Sequence, residues 1–508
     1  MSWIGDIISG LNAKGAKRIF SQKETGVFEK MAIPESVRRS NCLTKIGCVV
    51  LDAAGRMAVS INGARGPFHE GIIAGYPLFD LSGEHMVYSA VDGGRYTISY
   101  DWTERGAFKG LLKNTPLLSS DGKKFLFVIR VTDGETLMIN EKAAYEIPYL
   151  WSAVEGSPCF SDGGDKFALV IERNESKRAV INGKPDAGQF SWIESFGFYS
   201  PDGSSYAYMA VKSADRVLVL NGSELPYTCA TVPVFAGKYE KPGSFSAEAA
   251  ARRVKPCSMA FFVKRDDGNF AVVDGREGKK YKSIITYAPV FNPDWSDAAY
   301  AVEDADGKCF LVEGGREYPK FDDIYSPTIK FSPDGKNIIF RAVSKGRETV
   351  SFNGRPGLSH DAVTDDPFFS PDGRHYAYRA SDGDSVFVVT DGLKGPEFEA
   401  AGKPVFAPEG GRTAYVIGKG DKFYVIDGEK TYGPYESVYN EPVFSPDGKH
   451  IAYCVNDGRR DMISVDGEAG KPFDRIINFE GTLRFTSPCT FEYMAVEKDK
   501  IIMVGEKI

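Results

Sequence analysis

Histidine is scarce in this sequence, with five residues in 508, and cysteine is thinly spread, with eight residues and no Cys-x-x-Cys pair. His69, His85, His360, His375 and His450 stand far apart, so no local zinc or haem spacing exists. Cys42, Cys48, Cys159, Cys229, Cys257, Cys309, Cys454 and Cys489 are scattered, several of them inside strand-like segments. A thiol there behaves as a small hydrophobe, and the set reads as reduced cysteines rather than a disulfide framework. No run of eighteen apolar residues occurs, which excludes a spanning helix. Gly-x-Ser-x-Gly, a P-loop and a dinucleotide fingerprint are all missing. Ser359-His360-Asp361 collects triad residue types side by side, but neighbours on a strand point to opposite faces and cannot relay a proton. No catalytic residue, metal or cofactor is expected. Positive charge is not in excess either: 62 Lys and Arg stand against 69 Asp and Glu. A net charge of −7 argues against a nucleic-acid surface. The first residues lack a basic n-region, and Asp6, Gly10 and Asn12 interrupt any apolar core, so a cytoplasmic location is expected.

What the chain has instead is glycine, 54 residues, together with 13% aromatics. Many short strands joined by tight turns need that pairing. The phrase Phe-Ser-Pro-Asp-Gly, or its Tyr form, stands at Tyr199–Gly203, Phe331–Gly335, Phe369–Gly373 and Phe444–Gly448. Weaker copies stand at Leu118–Gly122, Phe160–Gly164, Phe291–Trp295 and Phe406–Gly410. About twenty residues later each unit carries an apolar strand ending in Asn-Gly, Asp-Gly or a degenerate form. Its first residue is Asn62, Asp101, Asn140, Asn182, Asn221, Asp274, Glu313, Asn353, Asp391, Asp427, Asp466 and Val504. These marks define twelve units of about 39 residues, with one spacing of 42 and one of 53.

One unit can be read in full from Pro442 to Ile477. Pro442-Val443-Phe444 is strand A, with Pro tolerated at its start. Ser445–Gly448 turns the chain: Pro446 presets φ, Asp447 bonds locally and Gly448 takes the positive φ. His450–Val455 is strand B and Asp461–Val465 strand C, closed by the two-residue hairpin Asp466-Gly467. Pro472–Ile477 is expected as strand D. Four antiparallel strands in about forty residues make a propeller blade.

The Ser-Pro-Asp-Gly phrase after a Pro-x-Phe strand, followed by an Ile/Tyr-Ala-Tyr strand, resembles the TolB-type branch of WD-like β-propeller repeats. The same blade type builds the propellers of prolyl oligopeptidase-type enzymes. The resemblance spans nearly the whole chain and implies an all-β propeller array. It implies no single function, since the fold hosts binding, scaffolding and catalysis. Unlike in those families, neither a hydrolase domain nor the export signal and N-terminal domain of TolB is expected here.

Twelve blades fit two six-bladed propellers, 34–288 and 289–508, or one twelve-bladed ring. The last unit runs out after its third strand, and Gly26–Pro34 resembles Gly433–Val438. Residues 25–33 are therefore expected to close the last blade and hide two sheet edges. Two segments break the pattern. The spacing of 53 comes from an insertion at 236–258, which carries Lys238, Tyr239, Lys241, Arg252, Arg253 and Lys255 as partner-binding candidates. Residues 1–20 read as an amphipathic helix with Trp3, Ile4, Ile7, Ile8 and Leu11 on one face. That helix would dock on its own fold or make weak membrane-surface contact. The leading expectation is a non-catalytic scaffold that binds another protein and not nucleic acid. The alternative is a propeller enzyme or binder of a carbohydrate or peptide with a polar axial pocket.

Overall fold

The computed structural model describes residues 19–27, 38–39, 45–61, 64–194, 199–213, 215–227, 231–236, 258–477, 483–498 and 500–508. Among them, strands and turns form twelve antiparallel sheets with four strands each in path order, and no helix occurs. Each sheet is a propeller blade, and the twelve blades match the twelve units marked by the repeated turns.

The chain divides into two compact units. One is Met1–Glu29 with Asp306–Leu311 and Glu317–Ile508, and the other is Lys30–Ala305 with Val312–Arg316. The blades between Arg38 and Glu277 lie in the second. The blades from Asp323 onward lie in the first, with the strand Ile19–Val27.

Both repeated turns are built by their own side chains, which is why they are legible in the sequence. In the blade Ser437–Ala469 the buried Ser445 hydroxyl donates to Asp447 Oδ1 at 2.7 Å and accepts the His450 N–H at 3.0 Å. That hydroxyl is first among the groups holding the Asp447 carboxyl below its usual range. The same serine–aspartate bond recurs at Ser119, Ser200, Ser332 and Ser370. At the hairpin, Asp466 has φ +50° and Gly467 φ +89°, the two left-handed residues of a type I′ turn. A Cβ on Gly467 would meet the Tyr432 ring at 2.6 Å, so glycine is required twice over.

The two turns are also tied to each other. Asp466 Oδ1 accepts the Ile451 N–H at 2.9 Å, while Oδ2 lies 2.6 Å from His450 Nδ1. His375 with Asp391 and His85 with Asp101 repeat this at 2.6 Å. Three of the five histidines are thus blade carpentry.

The fourth strand differs from the sequence reading in a consistent way. A two-residue hairpin makes strand D start at once, and Glu468 pairs with Val465. Phe473 bridges back to Asp461, and Arg475–Ile477 then pairs with Thr490–Glu497 of the next blade. Pro472–Ile477 is therefore the exit of one blade and the entry to the next, not strand D. The closing strand is displaced in the same direction. It is Ile19–Val27, antiparallel to Lys500–Lys507, rather than 25–33. The Gly433–Val438 phrase that it resembles straddles the end of the strand Lys430–Tyr435 and the start of the next blade at Ser437. Residues 28–33 lie outside the described residues. Ile19 and Phe20, expected at the end of the N-terminal helix, belong to this strand.

Blades are glued by a buried aromatic at one register position, the third residue or so of strand B. Tyr88, Tyr208, Tyr378, Tyr453 and Tyr493 are all within 1% of full burial. A buried phenol needs a partner for its hydroxyl. Tyr208 donates to Asp186 of the preceding blade at 2.9 Å, and the Tyr453 hydroxyl lies 3.0 Å from that of Tyr435. Cys48, Cys159, Cys309, Cys454 and Cys489 are thiols, not disulfides. Burial pushes Cys48 up to about 11 and Cys454 to about 12, so neither is poised to react.

Candidate interaction surface

The one-off spacing of 42 between Asn140 and Asn182 has a structural cause. Ile147 is buried and donates its N–H to the Glu135 carbonyl at 3.0 Å. The Ala153 N–H donates to Glu135 Oε2 at 2.7 Å. Between these two fixed points the extra residues are thrown outward as a turn, closed by a 2.9 Å bond from the Trp151 N–H to the Pro148 carbonyl. Tyr149 and Leu150 form its tip and are 72% and 65% exposed.

Leu150 sits at φ +67°, a position where a turn of this kind ordinarily wants glycine. A leucine there is strained by about 1–2 kcal/mol and places its side chain in water. Strain with no gain in packing points to a use outside the folded chain. Leu150→Gly is expected to leave stability within about 1 kcal/mol, because relief of strain offsets the entropy cost of glycine. Leu150→Val, β-branched at positive φ, should lose about 1–2 kcal/mol. Urea denaturation of the pair checks this; a valine variant as stable as the parent would contradict the strain.

Beside the turn, two indoles flank the hairpin between Phe167–Arg173 and Ser176–Ile181. Trp151 is half-buried, with the Arg178 guanidinium 5.5 Å and the Arg173 guanidinium 5.8 Å from its ring. Trp192, 52% exposed, has Lys177 Nζ 4.6 Å from its ring centroid. Lys177 is itself mostly buried and bonded to Glu172 at 2.5 Å. Residues 177 and 178 are neighbours on one strand and face opposite ways, which is how one hairpin serves two tryptophans. Tyr149, Leu150 and Trp192 are thus exposed on either side of this hairpin, with Arg173 and Arg178 against Trp151. Tyrosine, tryptophan and arginine are the residues that dominate protein interfaces.

The residues singled out from the sequence are not among these. Lys238, Tyr239, Lys241, Arg252, Arg253 and Lys255 lie outside the described residues, as do Trp3, Ile4, Ile7, Ile8 and Leu11. The insertion leaves and returns at one point: Val234 pairs with Ala260, and the Ala236 N–H donates to the Ser258 carbonyl at 2.8 Å. The spacing of 42 was the available signal for Tyr149 and Leu150, overshadowed by the larger one of 53.

Ser359-His360-Asp361 behaves as strand geometry requires. His360 is buried with Nε2 3.2 Å from the Tyr378 hydroxyl, while Asp361 pairs outward with Arg347 at 2.6 Å. Burial pushes His360 below its usual range. No group of three or more His, Cys, Asp or Glu able to hold a metal ion occurs among the described residues.

No family model matches this sequence, and no curated protein matches it. Among solved structures, the chain is similar to TolB from Acinetobacter baumannii, at 16% identity over 49% of this chain and 63% of that one, with a TM-score of 0.21. It is also similar to the β-propeller domain of the Trilobed protease from Pyrococcus furiosus, at 11% identity over 49% and 91%, with a TM-score of 0.24. The Dos1 propeller aligns at 11% identity over 76% and 90%, with a TM-score of 0.27. The chain spans less than two thirds of the TolB structure's length. At these scores the neighbours carry no functional argument; the blades themselves establish the fold.

Proposed function

We propose that this chain is a non-catalytic scaffold that binds another protein, and that the Tyr149–Trp192 surface is its contact. The observation that carries this reading is the exposed, strained Tyr149-Leu150 turn beside two cation-stacked indoles. Rigid aromatic anchors bind at low entropic cost, and arginines supply planar hydrogen bonding to the partner's carboxylates and carbonyls. The insertion at 236–258 is a second candidate contact, on the basis of its length and its cations.

A photoreactive amino acid placed at position 149 or 192 should crosslink to a discrete protein in cells, whereas one at the exposed Lys336 should not. With that protein purified, Tyr149→Ala and Trp192→Ala should each weaken binding at least tenfold, about 1.4 kcal/mol. If those variants bind normally while replacement of 237–257 by a short turn abolishes binding, the contact is the insertion. If no position crosslinks and neither change alters any association, the scaffold reading fails.

A further inference from the structure

Between the second and third blades lies a cleft of about 560 Å³ whose charge is opposite to that of the chain. Its lining includes Arg105, Lys123, Lys124 and Lys142, against the single carboxylate of Glu141. The protein as a whole carries −7. Arg105, on the fourth strand Thr103–Phe108 of one blade, meets Lys123 and Lys124, in the turn before the strand Phe125–Val131, and Lys142, at the start of Lys142–Glu146, of the next.

The cations are held rather than scattered. Arg105 lies over the Tyr100 ring at 5.9 Å and bonds Glu141 through Nη1, while its Nε hydrogen finds no acceptor in the protein. Lys124 is anchored by a 2.9 Å bond to the Gly164 carbonyl. Lys123 is largely exposed, 3.8 Å from Asp121. Lys142 opens its strand and has no ion-pair partner among the described residues. Glu141 and Asp121 offset two of the four charges, so two are left for a ligand to balance. A monocarboxylate would leave half of that charge uncompensated; a phosphate, at about −1.5 to −2 at neutral pH, balances it. The volume falls in the range of small-molecule sites, about 300–1,000 Å³. An isolated cleft of this kind is not the continuous basic stripe that a nucleic acid strand needs.

We infer that this cleft binds a phosphorylated small molecule through its phosphate group, with Arg105, Lys123 and Lys142 receiving the phosphate oxygens. Tyr100 lines the same space, and its ring, stacked on His85 and Phe125, is a fixed support for Arg105. The site is separate from the interaction surface proposed above.

Isothermal titration of the full chain with ADP, pyrophosphate and adenosine tests this. ADP and pyrophosphate should bind saturably and more weakly at high salt, and adenosine should not bind. Lys142→Glu and Lys123→Glu should each weaken ADP at least tenfold. Lys336→Glu, an exposed lysine beside the same type of turn in another blade, should leave it unchanged. Thermal melts of the variants keep loss of fold apart from loss of site. Absence of saturable binding by ADP, or equal binding by Lys142→Glu and the parent, overturns the inference, as does an equal loss in Lys336→Glu.

Discussion

A chain beginning at residue 28 is expected to be markedly less stable than one beginning at residue 19. Ile19–Val27 pairs with Lys500–Lys507 over eight residue pairs, from Ile19 with Lys507 to Val27 with Lys500. Each ladder bond lost is worth on the order of 1 kcal/mol net, so the strand contributes several kcal/mol. Its removal also bares the edge of a strand whose Ile502 and Val504 are buried, a template for pairing with other chains. The loss should concentrate in the last blade, because a repeat array is held together by nearest neighbours. Urea and thermal unfolding of the two truncations measure it, and light scattering reports the exposed edge. Coincident curves would mean that the strand contributes little to the fold.

Phe387→Ala should be the most damaging single change among the residues discussed, at about 3–5 kcal/mol. Phe387 is fully buried and packs with Val350 and Val363, so it spans two blades. The His360 ring lies 5.3 Å from it, and Lys394 Nζ stands 3.9 Å from its centroid. Truncation leaves a cavity bordered by that buried histidine and removes a cation–π contact as well. Phe387→Leu keeps most of the volume and should cost less than about 1.5 kcal/mol. The comparison is read from urea midpoints at constant slope. A loss below about 1 kcal/mol for the alanine variant would show that the two blades close over the gap.

How much of this was legible beforehand depends on how local the chemistry is. Ser445, Asp447 and His450 bond one another within six residues, so the turn can be recognised wherever the phrase recurs. Asp466-Gly467 is local in the same sense. Strand D was misplaced because its few ladder pairs leave no distinctive pattern, as Glu468–Ala469 illustrates, whereas the conspicuous Phe473-Asp474 phrase belongs to the crossing between blades. The same misreading moved the closing strand from Ile19–Val27 to 25–33. The Tyr149-Leu150 turn left a trace, three extra residues in one spacing, but nothing in the sequence says that they project into water.

The sequence by itself determined the blade, its count of twelve and the use of the N-terminal region to complete the last one. It could do so because side-chain periodicity and turn chemistry act over two to six residues and repeat. Only the tertiary structure decided which side chains meet. Trp151 acquires Arg173 and Arg178 because the first strand of its blade pairs with the second, and Arg105 comes to share a cleft with Lys123 and Lys142 through the stacking of neighbouring blades. Those contacts join residues 18 to 37 positions apart, and their energy depends on burial and distance, which no pattern along a single chain contains.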